Sequence, residues 1–199
     1  MAETSTRRSP LAGHADRLAA ATLRSAGALR IEEQPFRTHL DLRLDPSGPG
    51  AGAFAGVVGV ALPVEPGTTA AGTGVEALWL GPDEWLLVGP PGTDGELAAR
   101  VHAAVGDEPV SVVDVSAQHA TLLLAGPRAR DVLAHGCSID LHPRVFGAGH
   151  CAQTMLARAP VVLVADGPDA IRVIVRSSFA RYLADWLLDA ATEHIAAGA

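Results

Sequence analysis

The feature that most constrains the fold is a pattern that occurs twice. A short apolar run over residues 77–80 leads into Gly81-Pro82-Asp83, a second apolar run over 84–88, and then a segment of helical periodicity. The same order recurs around Gly167-Pro168-Asp169. Glycine and proline side by side reverse the chain, and the flanking runs supply apolar side chains to bury, so each copy reads as a β-hairpin followed by a helix. Gly-Pro-Asp alone is a common turn; the shared order of elements is what favours an internal duplication. The expected fold class is α+β, with two similar lobes of antiparallel sheet flanked by helices. The lobes are expected at 13–109 and 110–195, between a polar segment 1–12 and a tail 196–199.

The remaining elements follow from periodicity. Residues 15–29 are rich in alanine and leucine, with Leu18, Thr22, Leu23 and Ala26 on one face of a helix. Residues 36–44 alternate, with Phe36, Thr38, Leu40, Leu42 and Leu44 on one side and Arg37, His39, Asp41 and Arg43 on the other, as in a half-buried strand. The run DPSGPGAG at 45–52 reads as a loop, and 57–64 as a strand. A helix is expected over 94–105 behind Thr93 or Asp94 as N-cap. Strands are expected over 110–115 and 120–124, and Gly126-Pro127 then opens a helix running to about His135. Further strands fall near 150–156, 161–164 and 171–175. From Ser177 onward Phe179, Tyr182, Leu183, Trp186, Leu187 and Ala190 recur at steps of three and four, the stripe of an amphipathic helix.

Composition narrows the classes of function. With 199 residues, 48% of them hydrophobic and only 19% charged, the chain buries a sizeable core and has apolar surface to offer a partner. All 15 basic residues are arginines, with no lysine or asparagine anywhere, the bias of a GC-rich bacterial genome. A net charge of −7, without a dense arginine stripe, argues against nucleic acid as a partner. Cys137 and Cys151 are too few for a disulfide framework. No apolar run is long enough to cross a bilayer, and nothing resembles a secretory signal, so a cytoplasmic location and no membrane partner are expected.

Few side chains suggest chemistry. Cys137, His142, His150 and Cys151 are zinc-compatible types, but they lack paired knuckles, and His150 and Cys151 would point to opposite faces of a strand. Asp114, Ser116 and His119 have the types of a triad without the separate elements or the G-x-S-x-G elbow; here aspartate and serine are expected to satisfy nearby backbone donors. Gly50, Gly52 and Gly56 lack the strand-to-helix frame of a dinucleotide loop. The Gly126-Pro127 turn, with Arg128 and Arg130 close by, has the capacity to hold an anion. Trp79, Trp85 and Trp186 are expected in the core, and an exposed one would instead mark an interface. No residue of this chain is assigned a catalytic, cofactor-binding or metal-binding role.

Over 112–188 the sequence resembles the gamma subunit of heterotetrameric sarcosine oxidase. The resemblance is carried by Asp140-Leu141-His142-Pro143, Phe146, Gly149, Cys151-Ala152-Gln153-Thr154 and Arg176-Ser177-Ser178-Phe179, with Arg8-Ser9-Pro10-Leu11 and the segment 80–86 extending it to nearly the whole chain. That family is in turn similar to the folate-binding aminomethyltransferase domain of the glycine cleavage system, which implies the two-lobed α+β fold. In the aminomethyltransferases an Asn-Gly-Gly-Asp type turn after a T-x-x-L strand supplies the acidic residue that works with tetrahydrofolate. Here Thr154-Met155-Leu156 runs into Ala157, Arg158, Ala159 and Pro160 instead, with Asp166 and Asp169 assigned to the next turn.

The resemblance therefore implies a retained fold without the folate chemistry. It implies a subunit whose partners, a large flavin- and folate-binding alpha chain with beta and delta chains, carry FAD, FMN, NAD and tetrahydrofolate and oxidise sarcosine to glycine. The rival readings are a stand-alone folate-dependent protein of the aminomethyltransferase kind, and a repair or assembly factor using Cys137 or Cys151 as a reactive thiol.

Overall fold

Both Gly-Pro-Asp turns close hairpins, and the same topology surrounds each. The computed structural model describes residues 7–196; residues 1–6 of the expected polar segment and 197–199 of the tail lie outside it. The strands are β1 (Arg30–Glu33), β2 (Thr38–Arg43), β3 (Thr69–Ala71), β4 (Glu76–Gly81), β5 (Glu84–Gly89), β6 (Ser111–Asp114), β7 (His119–Ala125), β8 (Cys151–Leu156), β9 (Ala159–Gly167) and β10 (Ala170–Arg176). The helices are α1 (Ala15–Arg24), α2 (Pro49–Val58), α3 (Asp94–Val105), α4 (Ala129–Ala134), α5 (Ser177–Ala190) and α6 (Thr192–Ala196).

The strands form two five-stranded sheets, in the orders β3-β4-β5-β2-β6 and β8-β9-β10-β7-β1, with every pairing antiparallel. Each sheet is built as strand, helix, three-strand meander, helix: β2-α2-β3-β4-β5-α3 in one and β7-α4-β8-β9-β10-α5 in the other. The fifth strand of each is exchanged. β1 leads along the chain into β2 but pairs with β7, and β6 leads into β7 but pairs with β2. Matching bonds tie the two crossings, from the Gln34 N–H to Thr121 O (2.9 Å) and from the Val115 N–H to His39 O (3.0 Å). The expected split at 109/110 thus separates the two sequence repeats but not the two sheets. Strand β6, expected with the second lobe, and α1 with β1, expected with the first, each join the opposite core.

The sheets stack face to face with helices on their outer faces. In the first sheet Leu40, Leu42, Trp85 and Leu87 pack against Phe54, Val101 and Val105 of α2 and α3. In the second, Leu122, Leu124, Leu163, Ile171 and Val173 pack against Leu18, Val132, Leu183 and Leu187 of α1, α4 and α5. Leu78, Leu86, Val88, Cys151, Val164 and Ile174 meet between the sheets. Strands buried on both faces read as near-continuous apolar runs, which is how 85–88 and 173–175 look in sequence.

Three elements differ from expectation. The loop expected over 45–52 holds only to Gly48, and 49–52 begin α2, because Pro49 sits at a helical first position where its missing N–H costs nothing. Glu108 Oε2 accepts the Gly50 N–H (3.0 Å), and a Cβ at Gly50 would meet that oxygen and Val105, so glycine lets α2 close on α3. The expected strand 57–64 is consequently the end of α2 and irregular chain. Helix α1 stops at Arg24, since Ala26 (φ 51°) and Gly27 (φ 90°) turn left-handed and free the chain for β1, which no periodicity signalled. Its buried residues are Leu18 and Ala21, whereas Leu23 is 82% exposed. Strand β2 is not half-buried, because its second face meets the other sheet and His39 is 1% exposed.

Candidate functional site

The polar residues that matter most in this fold lie between the sheets. Arg172 on β10 points inward and receives Asp166 of β9 in a bidentate pair, with Nε 2.7 Å from Oδ2 and Nη2 2.7 Å from Oδ1. It also donates to Glu76 of β4, in the opposite sheet. Burial alone would favour the neutral guanidine, but the bonds to Asp166 and the charge of Glu76 outweigh it and raise the Arg172 pKa. The cluster is an ionic brace across the stack.

Beside it the strand crossings enclose a cavity of about 140 Å³ lined by Arg7, Arg37, His39, Ser116, His119 and Thr121 among others. Burial, with His119 and Arg37 adjacent, pushes the His39 imidazole down to about 3, so it is neutral at pH 7. Burial likewise lowers His119 and Arg37. The two imidazole rings are 5.3 Å apart between centroids, and His39 Nε2 lies 3.3 Å from Thr121 Oγ1. Arg37 Nε, His39 Nδ1 and His119 Nδ1 are buried without a hydrogen-bond partner. Among the described residues the lining presents arginine, imidazole and hydroxyl groups, and its carboxylate, Glu33, accepts a hydrogen bond from Ser9 Oγ. Sequence reasoning placed none of Arg172, Glu76 or His39 in a site; the available signal was an arginine inside the apolar run of β10.

The residues flagged from sequence are placed as follows. Asp114 Oδ1 accepts the Ser116 N–H (2.9 Å) and Ser116 Oγ accepts the His39 N–H (2.9 Å), so aspartate and serine build the corner between β6 and β7. Cys151 packs between the sheets, 3% exposed, and burial pushes its thiol up to about 11. Cys137 bridges to Leu156 at the far end of β8 from Cys151. His150 pairs with Thr68 across the sheets' edge, and His142 lies in the loop before it. The four do not converge.

Gly50, Gly52 and Gly56 lie on α2. At the Gly126-Pro127 turn the anion capacity is already used: the Gly126 N–H donates to Asp169 O (2.8 Å) and the Arg128 N–H to Ala28 O (3.1 Å). Arg130 spends its guanidinium on the carbonyls of Pro168 (2.5 Å), Phe146 (2.9 Å), Gly167 (2.9 Å) and Leu141. Trp85 is fully buried with its Nε1–H on Pro63 O (2.7 Å), while Trp79 and Trp186 are partly buried against the two cores. The turn from β8 to β9 is Ala157-Arg158, with Ala157 at φ 52° and no carboxylate; Asp166, the next one along, is held by Arg172. This turn does not fit folate chemistry.

Two stacked antiparallel sheets with an exchanged strand at each crossing and helices on their outer faces define the class. The fold is shared with the aminomethyltransferase T of the glycine cleavage system from Bartonella henselae, at a TM-score of 0.64 and 16% identity over 86% of this chain and 48% of that one. Residues 43–193 match the sarcosine oxidase, gamma subunit family. The chain is 41% identical over 191 residues to the sarcosine oxidase subunit gamma of Corynebacterium sp. (strain P-1), covering 96% of this chain and 92% of that protein. It is 40% identical over 195 residues to the one from Corynebacterium sp. (strain U-96), covering 98% and 94%. It also superimposes on a chain of the heterotetrameric sarcosine oxidase from Corynebacterium sp. U-96 in complex with pyrrole 2-carboxylate, with a TM-score of 0.88 and 39% identity over 95% of this chain and 96% of that one. This chain belongs to the sarcosine oxidase gamma subunit family.

Proposed function

We propose that the chain is the non-catalytic gamma subunit of a cytoplasmic heterotetrameric sarcosine oxidase. In this reading it supports the oxidative demethylation of sarcosine to glycine, with one-carbon transfer to tetrahydrofolate, by partner subunits. Those partners are a large alpha chain that binds flavin and folate, with beta and delta chains, and they hold FAD, FMN, NAD and tetrahydrofolate. The observation that carries the reading is the Ala157-Arg158 turn: the fold is kept, but the acid that would work on folate is replaced by alanine and arginine. The polar seam between the sheets supports it too, since Arg172, Asp166 and Glu76 are paired inward as a brace. Two lobes related by duplication, each completed by a strand from the other repeat, complete the picture.

The test is an affinity pull-down of the tagged chain from its native bacterium, with a flavin spectrum and a sarcosine-dependent peroxide assay on the eluate. Co-elution of a large flavoprotein with that activity is expected. A lone colourless chain that binds tetrahydrofolate tightly would instead support a stand-alone folate-dependent protein.

A further inference from the structure

On the face of the molecule carrying α6, three side chains from two distant parts of the sequence converge. His135 follows the last turn of α4, and Glu193 and His194 lie on α6. Glu193 Oε1 is 3.0 Å from His135 Nε2 and 3.6 Å from His194 Nε2, and the three donor atoms all lie within 4.8 Å of one another. Around a tetrahedral ion, with ligands at 2.0–2.1 Å, neighbouring donors are separated by roughly 3.3–3.4 Å. Both measured separations fall within about 0.4 Å of that spacing. Glu193 thus already stands at ligand spacing from both imidazoles, whose own separation is within 4.8 Å and would close further around an ion. His194 Nε2 is buried and has no hydrogen-bond partner, and in the tautomer protonated on Nδ1 its lone pair is one that a metal bond would satisfy.

We infer that His135, Glu193 and His194 form a zinc site. Two imidazoles and one carboxylate are borderline donors that suit Zn²⁺ and not Mg²⁺ or Ca²⁺, which take oxygen ligands. With three protein ligands the fourth position is left to water or to a donor from a neighbouring chain. The ion would fasten α6 to the end of α4. No spacing in the sequence signals this site, because the ligands come from two helices and lack a local motif. Cys137, although close in sequence to His135, is not part of it. The inference stands on these donors alone and is independent of the assignment to an oxidase.

The test is titration of the metal-free full-length chain with ZnCl₂, followed by calorimetry and elemental analysis after gel filtration. One zinc per chain is expected, with affinity falling at least tenfold in His135→Ala and in His194→Ala. Replacing zinc by Co²⁺ should give the intense visible bands of tetrahedral coordination in the native chain and lose them in both variants. His135 is half exposed, so metal-free His135→Ala should keep the native circular dichroism, which separates lost ligation from lost fold. Absence of saturable binding, or zinc binding that neither histidine substitution weakens, would overturn the site.

Discussion

His39 shows how one residue reads the stacking of two sheets. In sequence it occupies the polar side of an alternating strand, yet the second sheet covers that side and the imidazole is held near a pKa of 3 against about 6.5 unfolded. Between those values the unfolded chain binds a proton that the native chain does not. The stabilisation is therefore complete above about pH 6.5 and is lost as pH falls toward 3, at no more than about 1.4 kcal/mol per pH unit. His119, lowered by burial as well, acts in the same sense. His39→Gln, which keeps a polar group beside Thr121, should flatten this dependence; urea unfolding at pH 4.5 and 7 should show a smaller difference in the variant than in the parent. Cys151 makes the matching argument for the reactive-thiol reading. A buried thiol with its pKa pushed to about 11 has almost no thiolate at neutral pH. Ellman's reagent on the native protein should leave Cys151 unmodified and reach it only after unfolding, and rapid native labelling of Cys151 would revive a thiol-based function.

At the scale of elements, Arg130 explains why the stretch from Asp140 to Phe146 is so recognisable. Residues 138–149 carry no helix or strand, and while turn bonds satisfy the His142 and Gly147 carbonyls, those of Leu141 and Phe146 take donors from elsewhere. Arg130 supplies them from α4, binding Leu141 and Phe146 on one side and the Gly167-Pro168 turn on the other, while the Leu141 and Phe146 side chains enter the core. Lysine has one compact ammonium and cannot span four carbonyls in different directions. Arg130→Lys should cost about 1–3 kcal/mol and should raise hydrogen exchange across 138–149 more than in β7 or β10. Uniform exchange across the chain would show that Arg130 does not organise this loop.

The same scale shows what was legible beforehand. The hairpins, α3, α4 and α5 follow from local patterns, since turn chemistry and helical spacing are written in adjacent residues. Helix α2 and strand β1 are not. Gly50 and Gly52 argue locally for a loop, and it is the packing of Gly50 on Val105 and Glu108 that supports the helix there; Arg30–Glu33 becomes a strand because β7 has a free edge. Phe179 and Tyr182 follow the helical stripe yet flank it, at 36% and 39% exposure, because Ala180 and Ala184 bring α5 close to the sheet. The inward ionic brace was illegible for a related reason: Glu76 and Arg172 belong to different repeats and meet only when the sheets stack.

Across the whole molecule the exchanged strands decide how stability is shared. Only residues 34–37 separate β1 from β2, and only 115–118 separate β6 from β7, so each short crossing anchors both sheets at once. Unfolding either core removes an edge strand from the other, uncovers the apolar contacts among Leu78, Leu86, Val164 and Ile174, and strands Arg172 without Glu76. Breaking such a partly buried charge pair is costly, and so is exposing several fully buried leucines, at roughly 1.5–3 kcal/mol each. A half-unfolded chain therefore bears both costs while regaining the entropy of only one half, which favours a single transition. The tryptophans make this measurable. Trp79 and Trp85 sit in the first sheet, and Trp186 packs on the second core. In Trp186→Phe the fluorescence reports on the first core alone, whereas far-ultraviolet circular dichroism reports on both. The two signals should lose native structure at the same denaturant concentration; a fluorescence midpoint displaced from the dichroism midpoint would mean that the lobes unfold separately and that the strand exchange does not couple them.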